Sequence, residues 1–340
     1  MTDPHVHFRD WNQCSKETVL HGMLTGAQAG FDVFFDMPNT DPAVTSREAV
    51  IRRLELGASA ERELASRGLE AHYHLYCGVT ADKEQIREMA GVWKEFFPRV
   101  CGLKMFASQS TGNMGITGMD DQFAVYSTLS GLDYRGVLAV HCEKEELFDL
   151  SAESHWERRP ASSEMCSVHE QISFAERAGF KGTLHIAHIS TAGALDEVKA
   201  ARERGLVRVT CGATPHHALL NCGSETAVVR MNPPLRVEAD RLAVWNALFD
   251  GTVDWIESDH APHTLEDKKK GACGLPGFEG MLRLVAALRK AGMPEARLNA
   301  LLCTDALKAF GIKESSSPVP EVIEKMLEAA RRAYPFTAWN

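Results

Sequence analysis

The stretch TLHIAHISTAGALDEVKAARERG, residues 183–205, decides the fold. It begins as a short apolar run of strand type, 183–188, which ends in His188 and passes at once into a helix-like segment, 191–205. The same unit recurs along the chain. Strand-like runs at 3–8 (DPHVHF), 31–36, 71–79, 101–106, 136–141, 206–211 and 253–258 bring the number to eight, and helix-like segments at 46–68, 82–97, 167–179 and 238–251 lie between them. This alternation predicts a parallel sheet with crossover helices. Eight units close an α/β barrel of the (β/α)8 TIM type. The rival architecture is an open doubly wound sheet, but no Gly-x-Gly-x-x-Gly turn follows the first strand to favour it.

The rest of the chain adds little to that plan. KESSSPVPE (313–321) is the one Ser/Pro-rich stretch and reads as a surface loop before a last amphipathic helix, 321–334, so a single domain over residues 1–340 is expected. The net charge is −9 and there is no basic block, which argues against a nucleic-acid or anionic-membrane surface. No apolar run reaches the ~18 residues that span a bilayer, and the first residues are too polar for a signal peptide, so a cytoplasmic protein is expected. The nine cysteines are scattered without a Cys-x-x-Cys pair and read as reduced thiols. Cys142 adjoins His141, but neighbours on a strand face opposite ways, which disfavours a thiol nucleophile there.

In such a barrel the active site forms at the carboxyl ends of the strands. The first strand ends in His5 and His7, the fourth carries Lys104, the fifth ends in His141, the sixth in His188, and Asp259 follows the eighth. Residues two apart on a strand share a face, so His5 and His7 can bind one ion together. Neutral imidazoles suit zinc, and Asp259 completes a mixed site that leaves a position open for water. His141 and His188 suit a second ion. Lys104 is the odd member, since an ammonium is repelled by two cations. Taken alone it reads as a snorkelling or ion-paired lysine; on the fourth strand of this set it reads as a neutral amine able to add carbon dioxide and bridge both metals as a carbamate.

DPHVHFRD (3–10), DMPNT (36–40), GLKMF (102–106), VHCE (140–143), HIAHIST (185–191), TPHHALL (214–220), MNPPLR (231–236) and SDHAPHT (258–264) together resemble dihydroorotase, within the amidohydrolase superfamily. The resemblance covers about three quarters of the chain. It implies a zinc-dependent enzyme that reversibly hydrolyses the cyclic amide of (S)-dihydroorotate to N-carbamoyl-L-aspartate in pyrimidine synthesis. It further implies that His5, His7, His141 and His188 are zinc ligands, that Lys104 is the bridging N6-carboxylysine between two Zn2+ ions, and that Asp259 is both ligand and proton carrier. Arg9 and Asn39 would hold the substrate carboxylate with help from His263, and Asn232 would contact the pyrimidine ring. A bidentate guanidinium beside a neutral donor recognises a carboxylate better than a point charge does. A homodimer and association with aspartate carbamoyltransferase belong to the same expectation.

Two departures stand out. Relatives often carry a leader that builds a small side β-domain with the C-terminal segment; this chain starts almost at the first strand, so a bare barrel or a late start is expected. Some relatives have aspartate at the position of Lys104, so the carbamate depends on how that strand aligns.

Other residues compete for roles. His72 and His74 lie near the start of the third strand, towards the opposite end of the barrel, and read as structural. His185 is three residues from His188, hence on the other face, with a core or supporting role. His216 and His217 are expected to position the loop after the seventh strand. ASQSTGNMGITG (107–118) reads as a lid in which Ser110 or Thr111 touches substrate. The nearest rival function is a hydantoinase, dihydropyrimidinase or allantoinase, which needs no carboxylate anchor. The rival of another class is a non-catalytic scaffold for aspartate carbamoyltransferase.

Overall fold

A computed structural model describes residues 1–109 and 114–339. Eight strands, β1 (Thr2–Val6), β2 (Val33–Asp36), β3 (His72–Gly78), β4 (Val100–Phe106), β5 (Val137–His141), β6 (Thr183–Ile186), β7 (Arg208–Ala213) and β8 (Trp255–Ile256), form one parallel sheet in sequence order. The expected (β/α)8 barrel is what the chain builds, and no second sheet occurs among the described residues. Parallel strands covered on both faces need apolar side chains throughout, and VCGLKMF of β4 is buried at every position.

The 183–205 unit shows how local chemistry sets the boundaries. Thr191 caps its helix by accepting from the Ala194 N–H at 3.3 Å, the helix runs Ala192–Arg204, and Gly205 ends it in the left-handed conformation (φ 64°) that lacks steric cost without a Cβ. The helices Arg47–Ser66, Lys83–Phe96 and Glu238–Asp250 fall within two residues of their expected limits. Helix Ala161–Arg177 starts six residues before the expected 167, because the chain turns into it directly after Pro160.

Three strands stop short of the sequence expectation, and the reason bears on the site. β1 ends at Val6, β6 at Ile186 and β8 at Ile256, so His7, His188 and Asp259 stand just beyond regular pairing. His188 (φ 40°) and Asp259 (φ 48°) adopt the left-handed region, where a non-glycine residue carries backbone strain. The barrel closes between β8 and β1 through the His7 N–H donating to the His260 carbonyl at 2.7 Å and the Ser258 N–H donating to Asp3 Oδ1 at 3.1 Å.

Beneath the site the barrel is filled by Val33, Phe35, Tyr76, Val137, Ala139 and Trp255. Phe310 plugs this end, with ring centroids 4.9 Å from Phe35 and 5.8 Å from both Tyr76 and Trp255. Emptying such a buried aromatic site costs about 3–5 kcal/mol, so the floor under the pocket is stiff.

Candidate metal centre and substrate pocket

The six residues expected to hold metal are all buried, and they converge at the carboxyl ends of their strands. The rings of His5 and His7 lie 5.1 Å apart, His5 and His188 5.2 Å, and His188 and His141 4.9 Å, which makes a continuous arc. His5, His7 and Asp259 each offer a ligand atom within 4.8 Å of the others. Asp259 Oδ1 is 2.9 Å from His7 Nε2 and 3.6 Å from His5 Nε2.

For His7 and His141, neighbouring groups fix which ring nitrogen is free. His7 Nδ1 is 2.6 Å from Asn39 Oδ1, so with the amide oxygen facing it Nδ1 carries the proton and Nε2 keeps its lone pair. His141 donates from Nε2 to Glu143 Oε2 at 2.9 Å, which leaves Nδ1 facing His188 Nε2 at 3.2 Å. Glu143 is in turn paired with Arg159, whose Nε–H donates to Oε1 at 3.0 Å. Burial alone would raise the Glu143 carboxyl; Arg159 and His141 outweigh it and hold it well below the usual range. Burial pushes His5 down to about 4 and lowers His7, His141 and His188 as well, with Lys104 contributing in each case, so all four rings are neutral at pH 7.

The residues present suit divalent cations. His5 Nδ1 and Nε2, His188 Nδ1 and Lys104 Nζ are buried polar atoms without a hydrogen-bond partner in the protein, which is costly for a site meant to stay empty. Lone pairs of neutral rings also face the Asp259 carboxylate, an arrangement that a cation between them makes favourable. Lys104 has no exposed surface, and burial pushes its ammonium down to about 8 against the pull of Glu257 and Asp259.

A pocket opens above this arc, lined among others by His5, His7, His141, His188, Asp259, Arg9, Asn39, Asn232 and Cys273. Arg9 is 2% exposed and donates from Nε to the Pro262 carbonyl at 3.2 Å, and its Nη2 lies 3.3 Å from His263 Nε2. Burial lowers Arg9 to about 10, so it stays cationic. His263 abuts Arg9, and burial together with that cation pushes its ring down to about 2. Its Nε2–H donates to the Cys273 carbonyl at 3.0 Å. Asn232 Oδ1 accepts from His155 Nε2 at 2.9 Å. Ser110 and Thr111, the residues expected to touch substrate from the lid, lie outside the described residues.

The remaining histidines are accounted for. His74 donates from Nδ1 to the Pro98 carbonyl at 2.8 Å at the amino end of the barrel, where His72 also lies. His217 bridges Thr214 Oγ1 (2.8 Å) and the Pro233 carbonyl (3.1 Å), tying the loop after β7 to the segment that carries Asn232; His216 is buried beside it. His185 lies inside the barrel, stacked on Trp255 at 4.3 Å.

Sequence reasoning missed Glu143, Glu257, His155, Arg159 and Arg53. The first two had a signal: Glu143 is two residues from His141 and Glu257 two from Asp259, the same spacing that pairs His5 with His7.

No protein-family model matches the chain. Curated relatives do: a dihydroorotase of Methanosarcina mazei is 31% identical over 333 residues, covering 91% of this chain and 69% of the relative. A dihydroorotase of Lactiplantibacillus plantarum is 32% identical over 332 residues, covering 91% and 71%. The chain belongs to the dihydroorotase family. Among solved structures, an L-hydantoinase (dihydropyrimidinase) from Arthrobacter aurescens superposes with a TM-score of 0.79 at 19% identity, over 95% of this chain and 73% of that one. A dihydroorotase from Saccharomyces cerevisiae in complex with 5-fluoroorotic acid gives 0.73 at 17% identity, over 93% and 85%. These two likenesses place this dihydroorotase-family chain on the same barrel fold as the hydantoinases.

Proposed function

We propose that this chain catalyses the dihydroorotase reaction, the reversible hydrolysis of (S)-dihydroorotate to N-carbamoyl-L-aspartate in pyrimidine biosynthesis. The observation that carries the reading is a buried, cationic Arg9 on the wall of the same pocket as the His5, His7 and Asp259 donor set. Two zinc ions fit the donors: His5, His7 and Asp259 for one, His141 and His188 for the other. Lys104, as N6-carboxylysine, would serve both. What supports the carbamate is the amine's burial without a partner and its lowered basicity, since only the neutral amine adds carbon dioxide. When bound, such ions polarise a carbonyl and make water acidic near pH 7.

The protein's own groups do the rest. Arg9 and Asn39, with His263 beside the guanidinium, hold the substrate carboxylate, and Asn232 meets the ring. Asp259 takes a proton from the attacking water and returns it to the ring nitrogen as the amide C–N bond breaks. Water's oxygen ends on the carbonyl carbon as a carboxylic acid, whose remaining proton passes to solvent at neutral pH to leave the carboxylate of carbamoyl aspartate. Burial acts to raise the Asp259 carboxyl, in the direction that favours its taking up a proton.

A hydantoinase-type reading has the solved hydantoinase folds in its favour, but those substrates carry no carboxylate for Arg9. The complete donor set likewise speaks against a scaffold without activity. A homodimer or a complex with aspartate carbamoyltransferase is compatible with a pocket built from one chain's residues. The test is a substrate panel with zinc-loaded protein. Dihydroorotate should be preferred over 5,6-dihydrouracil, hydantoin and allantoin, and Asp259→Asn should lower kcat by about 10²–10⁴-fold. Preference for a neutral ring, or parental turnover by the Asn variant, overturns the assignment.

A further inference from the structure

We propose that Glu257 is a positioning residue that aims two of the ligand histidines, His5 and His188, from inside the barrel. This rests on the reading of those histidines as metal ligands. The Glu257 side chain is 1% exposed and stands among four donors. Oε2 accepts from His185 Nε2 at 3.2 Å and from the Trp255 indole N–H at 3.3 Å. Oε1 accepts the backbone N–H of His188 and faces His5 Nδ1 at 3.6 Å.

The two Oε1 contacts bear on ligands directly. A ring that binds metal through one nitrogen carries its proton on the other, and a carboxylate facing that N–H fixes the ring's rotation and raises its basicity. His7 has Asn39 in this role and His141 has Glu143; for His5 the group facing Nδ1 is Glu257. His188 is served differently, through its backbone. Its left-handed φ of 40° is strained, and an N–H held by a buried carboxylate helps keep the residue in that turn. His185, fixed by Thr210 Oγ1 at 3.1 Å and stacked on Trp255, braces the carboxylate in turn.

The neighbouring strand makes room for this carboxylate. A Cβ on Gly212 of β7 would lie 2.5 Å from Glu257 Cδ and 2.6 Å from Oε2, so the glycine is a gap that Glu257 fills. It follows that a carboxylate delivered from β7 can occupy nearly the same place: in Gly212→Asp the carboxyl carbon is one bond beyond that Cβ.

The experiment is zinc affinity of the metal-stripped protein, read by competition with a chromogenic chelator, for the parent, Glu257→Gln, Glu257→Ala, the double variant Gly212→Asp/Glu257→Ala, and His5→Ala. Glu257→Gln and Glu257→Ala should bind zinc about 10–100-fold more weakly, and the relocated carboxylate should recover at least tenfold of a hundredfold loss. Parental affinity in Glu257→Gln overturns the proposal, as does an equal loss in all three Glu257 variants, which would make the effect one of packing. Should Glu257→Ala fail to fold, the near-isosteric Gln variant decides. His5→Ala separates the two readings. If it too keeps parental affinity, the ligand assignment has failed; if it alone loses zinc, only the positioning role of Glu257 has.

Discussion

Arg9 is where recognition and cost meet. A guanidinium that is 2% exposed has lost most of its hydration, and desolvation of that kind is offset only by partners or by a ligand that supplies charge. Its neighbours along Nε and Nη2 are a carbonyl and a ring kept neutral, neither of which is an anion. Glu17, Asp259 and Asp36 add attractive charge, and on the proposed reading a substrate carboxylate is the anion that meets the fork. Charge-assisted hydrogen bonds of this type contribute about 1.5–3 kcal/mol, so Arg9→Met should raise KM for dihydroorotate by about 10–100-fold with kcat changed less. Activity on 5,6-dihydrouracil, which has no carboxylate, should stay within about twofold of the parent. Steady-state kinetics on both substrates checks this, and equal effects on the two would remove Arg9 from carboxylate recognition. Arg9→Lys should restore little, because an ammonium lacks the planar fork.

At the scale of elements, Arg9 is aimed by a network that begins on the helix Arg47–Ser66. Arg53 donates to the Arg9 carbonyl at 2.8 Å, to the Phe8 carbonyl, and to Asp36 Oδ2 at 2.7 Å. Asp36 at the end of β2 accepts in addition from the Phe8 N–H at 2.9 Å and the Tyr73 hydroxyl at 2.6 Å. The segment after β1 is thereby held by a helix and two strands at once. Burial raises the Asp36 carboxyl in spite of Arg53 beside it, while Asp36 and Tyr73 hold the Arg53 guanidinium above its ordinary value; a buried pair of this kind is costly to break by removing one partner. Arg53→Met should therefore destabilise the fold by about 3–5 kcal/mol in urea denaturation, with Asp36→Asn also destabilising. The double variant should cost less than the sum of the two, because it leaves no lone buried charge; strict additivity would show that the two side chains act separately. Nothing in REAVIRRLELG marks Arg53 as different from Arg52, since its partners come from residues 8, 9, 36 and 73. Strand alternation, by contrast, brought out His5 and His7, two residues apart, while His141 and His188 were marked by closing their strand-like runs.

Across the whole molecule the same division holds. Eight strands, their order and the mouth at which the ligand types collect were legible, since each follows from short-range pattern and from the rule that parallel strands in sequence order close a barrel. Glu257 was legible only in part: its spacing of two from Asp259 marks it, but its role depends on His185, 72 residues away, and on a missing Cβ at Gly212. Long-range closure also depends on a cluster that no local pattern displays. Glu17, after β1, meets His260 Nε2 at 3.0 Å, His21 Nδ1 at 3.1 Å and the Tyr334 hydroxyl at 2.6 Å. It joins the start of the chain to the loop after β8 and to the C-terminal segment. Burial would raise its carboxyl, but His260 and the hydrogen bonds from His21, His260 and Tyr334 outweigh that and bring it down to about 2. A folded-state value below that of the unfolded chain, about 4.3, means stability that is present above pH ~4.3 and lost as pH falls towards 2. The linked contribution is on the order of 3 kcal/mol. Unfolding free energies of the parent and of Glu17→Gln, measured between pH 6 and pH 2, test this. The parent should be the more stable at pH 6, and the gap should narrow by that amount as the buffer reaches pH 2. A gap that stays constant with pH would mean that Glu17 joins the three segments through packing alone, with its charge contributing nothing.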